Sequence, residues 1–179
     1  MRVIAGRWGG RPLVVPRGAA TRPTSDRVRE ALFSILGDIE GARVLDLFAG
    51  SGALALEALS RGAAQATLVD SSAAAVTAIR RNLQTVGAQA EVVRRPTLSF
   101  LGTARADARQ YDLVFVDPPY RHAPSLSAEL TAALVPVLAP GARVVTESDR
   151  RLPLELGLGL GSRDQRRYGD TLITIHHAP

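Results

Sequence analysis

The strongest constraint on the fold is an apolar run that stops at a glycine turn and continues as a helical pattern. Residues 44–48 (Val-Leu-Asp-Leu-Phe) are typical of a short strand that is covered on both faces. Residues 50–52 (Gly-Ser-Gly) favour a tight turn, and residues 53–59 combine strong helix formers with helical apolar spacing. The stretch therefore predicts a buried strand that feeds a helix through a turn where a ligand can approach the main chain.

Asp46 is the exceptional residue of this stretch, because it places a carboxylate inside an apolar strand. Burying an unpaired charge is costly, so we expect Asp46 near the carboxyl end of the strand, facing a ligand or a pair of backbone donors. Gly50, Gly52 and Ala55 match the dinucleotide pattern G-x-G-x-x-G/A, and Asp70 is spaced to hold a ribose. The same geometry holds S-adenosylmethionine, and Asp46 favours that ligand over a dinucleotide or an empty turn.

From residue 43 onward, apolar runs and helical patterns alternate along the chain. Strands are predicted near 43–48, 66–70, 90–95, 111–117 and 141–147, and helices near 52–61, 73–86, 97–105 and 126–138. This alternation predicts an α/β fold in which right-handed crossovers build a mostly parallel sheet with helices on both faces. Residues 163–168 and 171–176 flank Gly169-Asp170 and predict a hairpin at the end of the chain.

Composition narrows the chemistry that the chain can perform. The 179 residues suit one domain with an appendage, which we divide into a basic N-terminal β-hairpin extension at 1–20 and a main domain at 21–179. The absence of cysteine excludes thiolate metal sites and cysteine nucleophiles, and with them methylation at cytosine C5. We also expect no metal site, no membrane segment, and a monomer located in the cytoplasm.

The formal net charge of +5 lies entirely in the first thirty residues. Residues 1–30 contain seven arginines and two acidic residues, whereas the remaining acidic and basic residues balance. A basic excess confined to one end predicts contact with a polyanion there. Residues 2–5 and 11–15 are predicted as the strands of a hairpin around Trp8, which either stacks on a nucleobase or packs the hairpin onto the body.

A first helix is predicted after this hairpin and before the α/β alternation. Thr24 or Ser25 can cap it, and its buried stripe is predicted to be Val28, Ala31, Leu32, Ile35 and Leu36. Arg22, Arg27 and Arg29 fall before or outside that stripe, so the simplest expectation is that they lie on the solvent-exposed face of the helix.

The most specific motif is Asp117-Pro118-Pro119-Tyr120, which follows an apolar strand at 111–116. Two prolines fix the backbone and remove two donors, so the Pro118 carbonyl can point into a site beside the Asp117 carboxylate. These two acceptors match the two N–H donors of an exocyclic amine, and Tyr120 supplies a flat face for the ring. The motif therefore predicts a planar amino-base as acceptor, against the plainer alternative of a loop without a ligand.

The chemistry that follows is transfer of a methyl group from a sulfonium to the amine nitrogen. An aryl amine is a weak nucleophile, because its lone pair is delocalised into the ring. Acceptors on both hydrogens favour the pyramidal amine, and holding the two reactants in line lowers the barrier by as much as about 7–11 kcal/mol. Asp117 then offsets the positive charge that develops on the nitrogen.

Together these motifs resemble the RsmD family of 16S ribosomal RNA guanine-N2 methyltransferases. The resemblance rests on residues 46–54, 117–120 and 21–33, and it extends to residues 2–6 and 168–171. It implies a class I methyltransferase fold, which is Rossmann-like, with a seven-stranded sheet whose last strand is antiparallel. It also implies S-adenosylmethionine as the donor. The implied acceptor is one guanine of 16S rRNA, in the small ribosomal subunit or its assembly intermediate.

The resemblance, together with the basic charge of the first thirty residues, assigns residues to each part of the site. Those expected to bind the cofactor are Asp46, Phe48, Ala49, Gly50, Ser51, Gly52, Asp70, Ser71, Thr97, Arg22 and Thr24. Asp70 would bind the ribose hydroxyls, and Ser71 would lie beside the adenine. Those expected to hold the guanine amine are Asp117, Pro118, Pro119 and Tyr120. Those expected to contact RNA are Arg2, Arg7, Trp8, Arg11, Arg17 and Arg27.

One position departs from the family pattern, and two other functions stay open. The family usually has an acidic residue followed by alanine where Pro96 stands, so backbone groups or Thr97 are expected to contact the adenine. The Asp-Pro-Pro-Tyr chemistry also serves adenine N6 and cytosine N4, which leaves an amino methyltransferase on DNA as one alternative. A non-catalytic RNA-binding assembly factor is the other, and the intact Asp117 speaks against it.

Overall fold

The computed structural model describes residues 1–16, 25–118, 123–157 and 162–178, without the side chains of residues 123–126 and 162. The α-helices in this part of the chain are α1 (Asp26–Leu36), α2 (Ala53–Ser60), α3 (Ala73–Val86), α4 (Thr97–Ala106) and α5 (Ala123–Leu134). Its strands are β1 (Arg43–Leu47), β2 (Gln65–Asp70), β3 (Glu91–Arg94), β4 (Tyr111–Val116), β5 (Leu138–Asp149), β6 (Ser162–Tyr168) and β7 (Thr171–His177).

The seven strands form one sheet in the order β3-β2-β1-β4-β5-β7-β6, in which β7 runs antiparallel to its neighbours β5 and β6. This confirms the predicted α/β fold with a mostly parallel sheet and an antiparallel last strand. The helix predicted at 126–138 ends earlier, at Leu134, because Pro136 interrupts α-helical hydrogen bonding and a 3-10 turn (Val135–Val137) follows. No helix in the described ranges is long and apolar enough to cross a lipid bilayer.

Side-chain alternation along β1 divides the core into two layers. Val44 belongs to the layer that packs against α1, α2 and α3, where the rings of Phe33 and Phe115 lie 5.8 Å apart. Leu45 belongs to the opposite layer, which packs against α4 and α5. Because helices cover both faces, a carboxylate inside a strand has little access to water, and Asp46 in β1 and Glu147 in β5 are both buried.

Residues 1–16, here termed the N-terminal segment, contribute Val3 and Leu13 to the main core. The prediction of two regular strands is wrong: a single bridge joins Arg2 to Pro12, and a 3-10 turn occupies Gly6–Trp8. A ladder-like pattern survives in three backbone hydrogen bonds between residues 1–3 and 10–13. A domain boundary at residue 20 lies outside the described residues, so the division at 20 stays a prediction.

The segment departs from a hairpin because side chains of α2 bind its main chain. The Glu57 carboxylate, which is fully buried, accepts the N–H groups of Ile4 at 2.6 Å and Ala5 at 3.0 Å. Ser60 Oγ accepts the Trp8 N–H at 2.9 Å and donates to the Ala5 carbonyl at 2.6 Å. These contacts satisfy backbone groups that a second strand would otherwise pair.

Helix α1 starts as predicted, with Ser25 as the N-cap that accepts a backbone N–H of the first turn at 3.3 Å. The face that it buries differs from the predicted one, which included Ala31 and Ile35; the buried residues are Val28, Arg29, Leu32, Phe33 and Leu36. Arg29 is fully buried rather than solvated, because its guanidinium donates to the Arg2 carbonyl at 2.6 Å and to Asp26 at 2.7 Å.

Two glycines of the segment offer a matched test of its packing on α2. Gly6 and Gly10 have φ angles of 78° and 82°, but a Cβ on Gly6 would lie 1.9 Å from the Ser60 carbonyl oxygen, whereas one on Gly10 would meet nothing within 4 Å. We expect Gly10→Ala to cost about 1–2 kcal/mol for its left-handed backbone alone. Gly6→Ala should cost about 1–3 kcal/mol more, because the clash is with backbone. Urea unfolding measures both, and equal losses would contradict close packing at Gly6.

Candidate active site

Four carboxylates gather where the parallel strands end. Asp46 lies in β1, Asp70 ends β2, Asp117 follows β4 directly, and Glu147 lies in β5. The strand registers and the two-residue side-chain period place all four on the sheet face that packs against α1–α3. Because β1 and β4 are neighbours, the glycine turn and the Asp117 motif open at the same edge of the sheet.

The turn between β1 and α2 depends on three residues with left-handed backbone. The φ angles are 61° for Phe48, 55° for Gly50 and 76° for Gly52. A Cβ on Gly52 would lie 2.7 Å from the side chain of Leu68, so no larger residue fits there without a shift. Phe48 was not predicted to adopt this conformation, which is rare for a bulky residue and often occurs at ligand sites.

Asp46 is 2% exposed, and its carboxylate accepts the Ala55 N–H from the first turn of α2 at 3.1 Å. The sequence predicted that the Asp46 carboxylate faces a ligand or a pair of backbone donors, and the structure shows one such donor, the Ala55 N–H. Burial raises the pKa of Asp46 to about 8, the Ala55 hydrogen bond opposes that rise, and the charge of Asp70 adds to it. A cationic ligand would stabilise the ionised carboxylate, so the site suits a sulfonium or an ammonium group.

The Asp70 carboxylate is held in a fixed orientation by two backbone donors. Gly50 N–H donates to one oxygen at 2.9 Å, and Ser72 N–H donates to the other at 2.8 Å. Each oxygen keeps a lone pair for a further donor, so a pair of neighbouring hydroxyls can bind there. Ser71 is exposed beside this carboxylate, as a residue in contact with a ligand base should be.

Asp117 is half-buried at the tip of β4, and Pro118 after it is buried. Burial, and then the charges of Glu147 and Asp46, raise the pKa of Asp117 well above its ordinary value. A carboxylate in these surroundings binds a proton or a cation more readily than a solvated one. Pro119 and Tyr120 lie outside the described residues, so their roles stay predictions.

The residues between β3 and α4 are those predicted to contact the adenine of the cofactor. Pro96 is the N-cap residue of α4 and provides no side-chain cap. Thr97 is the first residue of the helix and is 8% exposed. The Arg95 N–H donates to the Asp70 carbonyl at 3.1 Å, which holds the start of α4 next to the ribose-binding candidate. Thr97 and the neighbouring backbone groups therefore remain the candidates for the adenine contact.

The residues predicted to bind RNA differ in their surroundings. Arg7 and Arg11 are exposed on the N-terminal segment, and Arg27 is exposed on α1. Arg2 is exposed as well, with its guanidinium 3.4 Å from a carboxylate of α1. Trp8 packs against the core with the Arg7 guanidinium 5.8 Å from its ring centre, which favours the packing role over stacking on a base. The predicted residues outside the described ranges are Arg17, Arg22 and Thr24.

Three polar residues near the site were missed by the sequence analysis. Glu147 is buried, but it stands in the polar stretch Thr146-Glu147-Ser148-Asp149, so no local pattern marks it as a site residue. Glu57 and Asn82 are buried in helices and bind main chain of the N-terminal segment. Their partners lie more than fifty residues away, so no local pattern indicates these contacts.

The sheet order, with a glycine turn after β1 and an acidic residue at the end of β2, is that of class I S-adenosylmethionine-dependent methyltransferases. The family model described as Conserved hypothetical protein 95 matches residues 1–177. The chain is 37% identical to Ribosomal RNA small subunit methyltransferase D of Haemophilus influenzae over 160 residues, which are 86% of this chain and 81% of that protein. The chain therefore belongs to the RsmD family, as its motifs predicted.

Two further matches agree with this membership. The Escherichia coli K12 protein named Ribosomal RNA small subunit methyltransferase D is 49% identical over 123 residues, which are 68% of this chain and 61% of that protein's length. The solved structure of Escherichia coli yhhF superposes with a TM-score of 0.85 at 38% identity, covering 99% of this chain and 97% of that one.

The raised pKa of Asp46 predicts a pH dependence of stability. Between about pH 4, where the unfolded carboxyl titrates, and about pH 8, the folded chain keeps a proton that the unfolded chain has released. The stability contributed by the protonated form is therefore lost as the pH rises through this window. Asp46→Asn removes the titration and keeps an acceptor for Ala55. We expect its stability relative to wild type to rise with pH by at most about 1.4 kcal/mol per unit.

Urea unfolding at a series of pH values measures this difference. Asp112→Asn is the matched control, because hydrogen bonds from Arg43 lower the pKa of Asp112 and its titration falls below the window. The control difference should be flat above about pH 5, because the Asp112 carboxyl is ionised there in both the folded and the unfolded chain. A flat difference for Asp46→Asn as well would show that the Asp46 carboxyl titrates normally.

Proposed function

We propose that this chain is an S-adenosylmethionine-dependent methyltransferase that modifies the N2 amine of one guanine in 16S rRNA. The observation that carries the proposal is the meeting of two motifs at one edge of the sheet. Asp46 and the glycine turn end β1, Asp117 and Pro118 follow the neighbouring β4, and both carboxylates lie on the same face. A methyl donor bound at the first motif is then adjacent to an acceptor bound at the second.

The residues around the glycine turn fit S-adenosylmethionine, which supplies an electrophilic methyl group on a sulfonium. Asp46, whose pKa is raised by burial, is stabilised in its charged form by a cationic ligand. Asp70 has a free lone pair on each oxygen for the ribose hydroxyls. The left-handed backbone of Phe48, Gly50 and Gly52 opens the main chain of the turn to the ligand.

On the acceptor side the chain offers two hydrogen-bond acceptor groups, the Asp117 carboxylate and the Pro118 carbonyl. Hydrogen bonds to both N–H groups of an exocyclic amine favour its pyramidal form, in which the lone pair is available for the methyl group. Asp117 also offsets the positive charge on the nitrogen as the new bond forms. The raised pKa that burial and Glu147 impose on Asp117 increases its affinity for the amine proton.

Ribosomal RNA as the substrate is supported by the family and by the charge distribution. The relatives from Haemophilus influenzae and Escherichia coli are named as ribosomal RNA small subunit methyltransferases. The basic excess of the chain falls in residues 1–30, where Arg7, Arg11 and Arg27 are exposed. We propose the small subunit or its assembly intermediate as the form that is bound, by a monomeric enzyme in the cytoplasm.

Methyl transfer from labelled S-adenosylmethionine tests the proposal directly. The substrates are small subunits from cells that lack this protein, the rRNA extracted from those subunits, and duplex DNA. We expect label in N2-methylguanosine when the rRNA from the subunit or RNA reaction is digested to nucleosides. Label in DNA alone would assign an amino methyltransferase on DNA, and no label in any substrate would assign a non-catalytic assembly factor.

Asp117→Ala separates the acceptor side from the cofactor side. Because Asp117 faces the amine in this proposal, we expect turnover to fall at least about a hundredfold. Cofactor affinity, measured by calorimetry, should stay nearly unchanged. Asp164→Ala removes an exposed carboxylate from the edge strand β6 and serves as the control for loss of charge. Lost cofactor affinity in Asp117→Ala would contradict its placement at the acceptor.

The double variant Arg7→Ala with Arg11→Ala tests the RNA-binding role of the N-terminal segment. Each lost phosphate contact lowers the slope of log K against log salt by about 0.7–0.9, so we expect a slope reduced by about 1–2. Filter binding of 16S rRNA between low and moderate salt measures the slope. Arg105→Ala with Arg150→Ala, both exposed elsewhere, is the control. An unchanged slope in the Arg7 and Arg11 variant would remove the segment from the RNA interface.

A further inference from the structure

Asn82 of α3 is a fully buried carboxamide that joins the N-terminal segment to the glycine turn. Its Oδ1 accepts the Val14 N–H at 2.8 Å, and its Nδ2 donates to the Val14 carbonyl at 2.9 Å. The same Nδ2 donates to the Ser51 carbonyl, between the two glycines of the turn, also at 2.9 Å. The Asn82 side chain therefore binds the main chain of both the N-terminal segment and the glycine turn.

The hydrogen bond from Asn82 to the Ser51 carbonyl affects the start of α2, because Ser51 directly precedes the N-cap of that helix. In a regular helix the Ala55 N–H donates to the carbonyl four residues earlier, which is that of Ser51. Here the Ala55 N–H donates to the Asp46 carboxylate, and the Ser51 carbonyl accepts from Asn82. Asp46 thus binds the donor, and Asn82 the acceptor, that would otherwise bond to each other in the first turn of the helix. These two side chains keep the turn from closing into a further helical turn. The shape of the turn consequently depends on Asn82 as well as on its glycines.

A second contact joins the same two parts of the chain. Ser51 Oγ donates to Sδ of Met1 at 3.3 Å, and the Leu13 N–H donates to the Met1 carbonyl at 3.0 Å. Both arms of the N-terminal segment therefore reach the turn beside Ser51, one through Met1 and the other through Val14. A shift of the segment, which carries the exposed Arg7, displaces the groups that hold the Ser51 carbonyl.

We propose that Asn82 is a positioning residue that links RNA binding by the N-terminal segment to cofactor binding at the glycine turn. The inference rests on the proposed function. RNA that immobilises the segment also immobilises Val14, the Asn82 carboxamide and the Ser51 carbonyl. The cofactor then binds a glycine turn that is already ordered, so its binding costs less conformational entropy. Because linkage is reciprocal, the cofactor tightens RNA binding by the same factor.

The test measures the dissociation constant of S-adenosylhomocysteine by calorimetry, with free protein and with protein saturated by an unmodified 16S rRNA transcript. The ratio of the two constants is the linkage factor. We expect RNA to tighten binding to the wild-type chain about fivefold or more. Asn82→Leu keeps nearly the same size and shape of side chain, but it offers neither a donor for the Ser51 carbonyl nor an acceptor for the Val14 N–H. Its linkage factor should be close to one.

Ser60→Ala is the matched control, because Ser60 also binds the segment, through Trp8 and Ala5, in contacts that do not involve Ser51. It should weaken RNA binding and preserve the linkage factor. A wild-type factor of one, an unchanged factor in Asn82→Leu, or equal loss in both variants would overturn the assignment of Asn82. A wild-type chain that binds no S-adenosylhomocysteine would instead refute the proposed function, so the two failures are distinguishable.

Hydrogen exchange on the wild-type chain tests the same link where Asn82→Leu does not fold. S-adenosylhomocysteine should slow exchange of the Val14 N–H, which donates to Asn82, and leave the Trp8 N–H, which donates to Ser60, unchanged. Equal protection of both amides, or no protection of Val14, would contradict the proposal.

Discussion

The buried carboxylate of Asp46 is the interaction on which the site depends. It fixes the Ala55 N–H and therefore the start of α2, yet an ionised group in that position is costly without a neighbouring positive charge. Under the proposed function, the sulfonium of the cofactor would supply this charge. Asp117 shares the same electrostatic field, because its pKa is raised by both Glu147 and Asp46. The charges of Asp46 and Asp117 therefore influence each other across the neighbouring strands.

The sheet order explains why these groups meet. The chain builds β1, β2 and β3 outward in one direction and then returns to place β4 on the other side of β1. The strands that follow β1 and β4 lie on opposite sides of this pair, and such a switch point is where ligands of α/β proteins commonly bind. Asp46 lies in β1 and Asp117 directly follows β4, so both residues belong to this switch point.

Sequence patterns predicted the parts of the site whose causes are local. A strand, a turn and a helix are specified within a dozen residues, so Asp46, the glycine turn and Asp117 were found with the correct elements around them. Contacts between distant parts left no such pattern: Glu57 binds the Ile4 N–H across 53 residues, and Asn82 binds Val14 across 68. Arg29 was misplaced for the same reason, since its burial depends on the distant Arg2 carbonyl.

The strand β6 has a consequence for self-association, because it forms one open edge of the sheet. Its residues 163–167 are all exposed and read Arg-Asp-Gln-Arg-Arg. Another strand that paired along this edge would have to strip water from these charges and bring its own side chains beside three arginines. The charged side chains of β6 therefore disfavour sheet-extended dimers and fibrils that would grow along this edge.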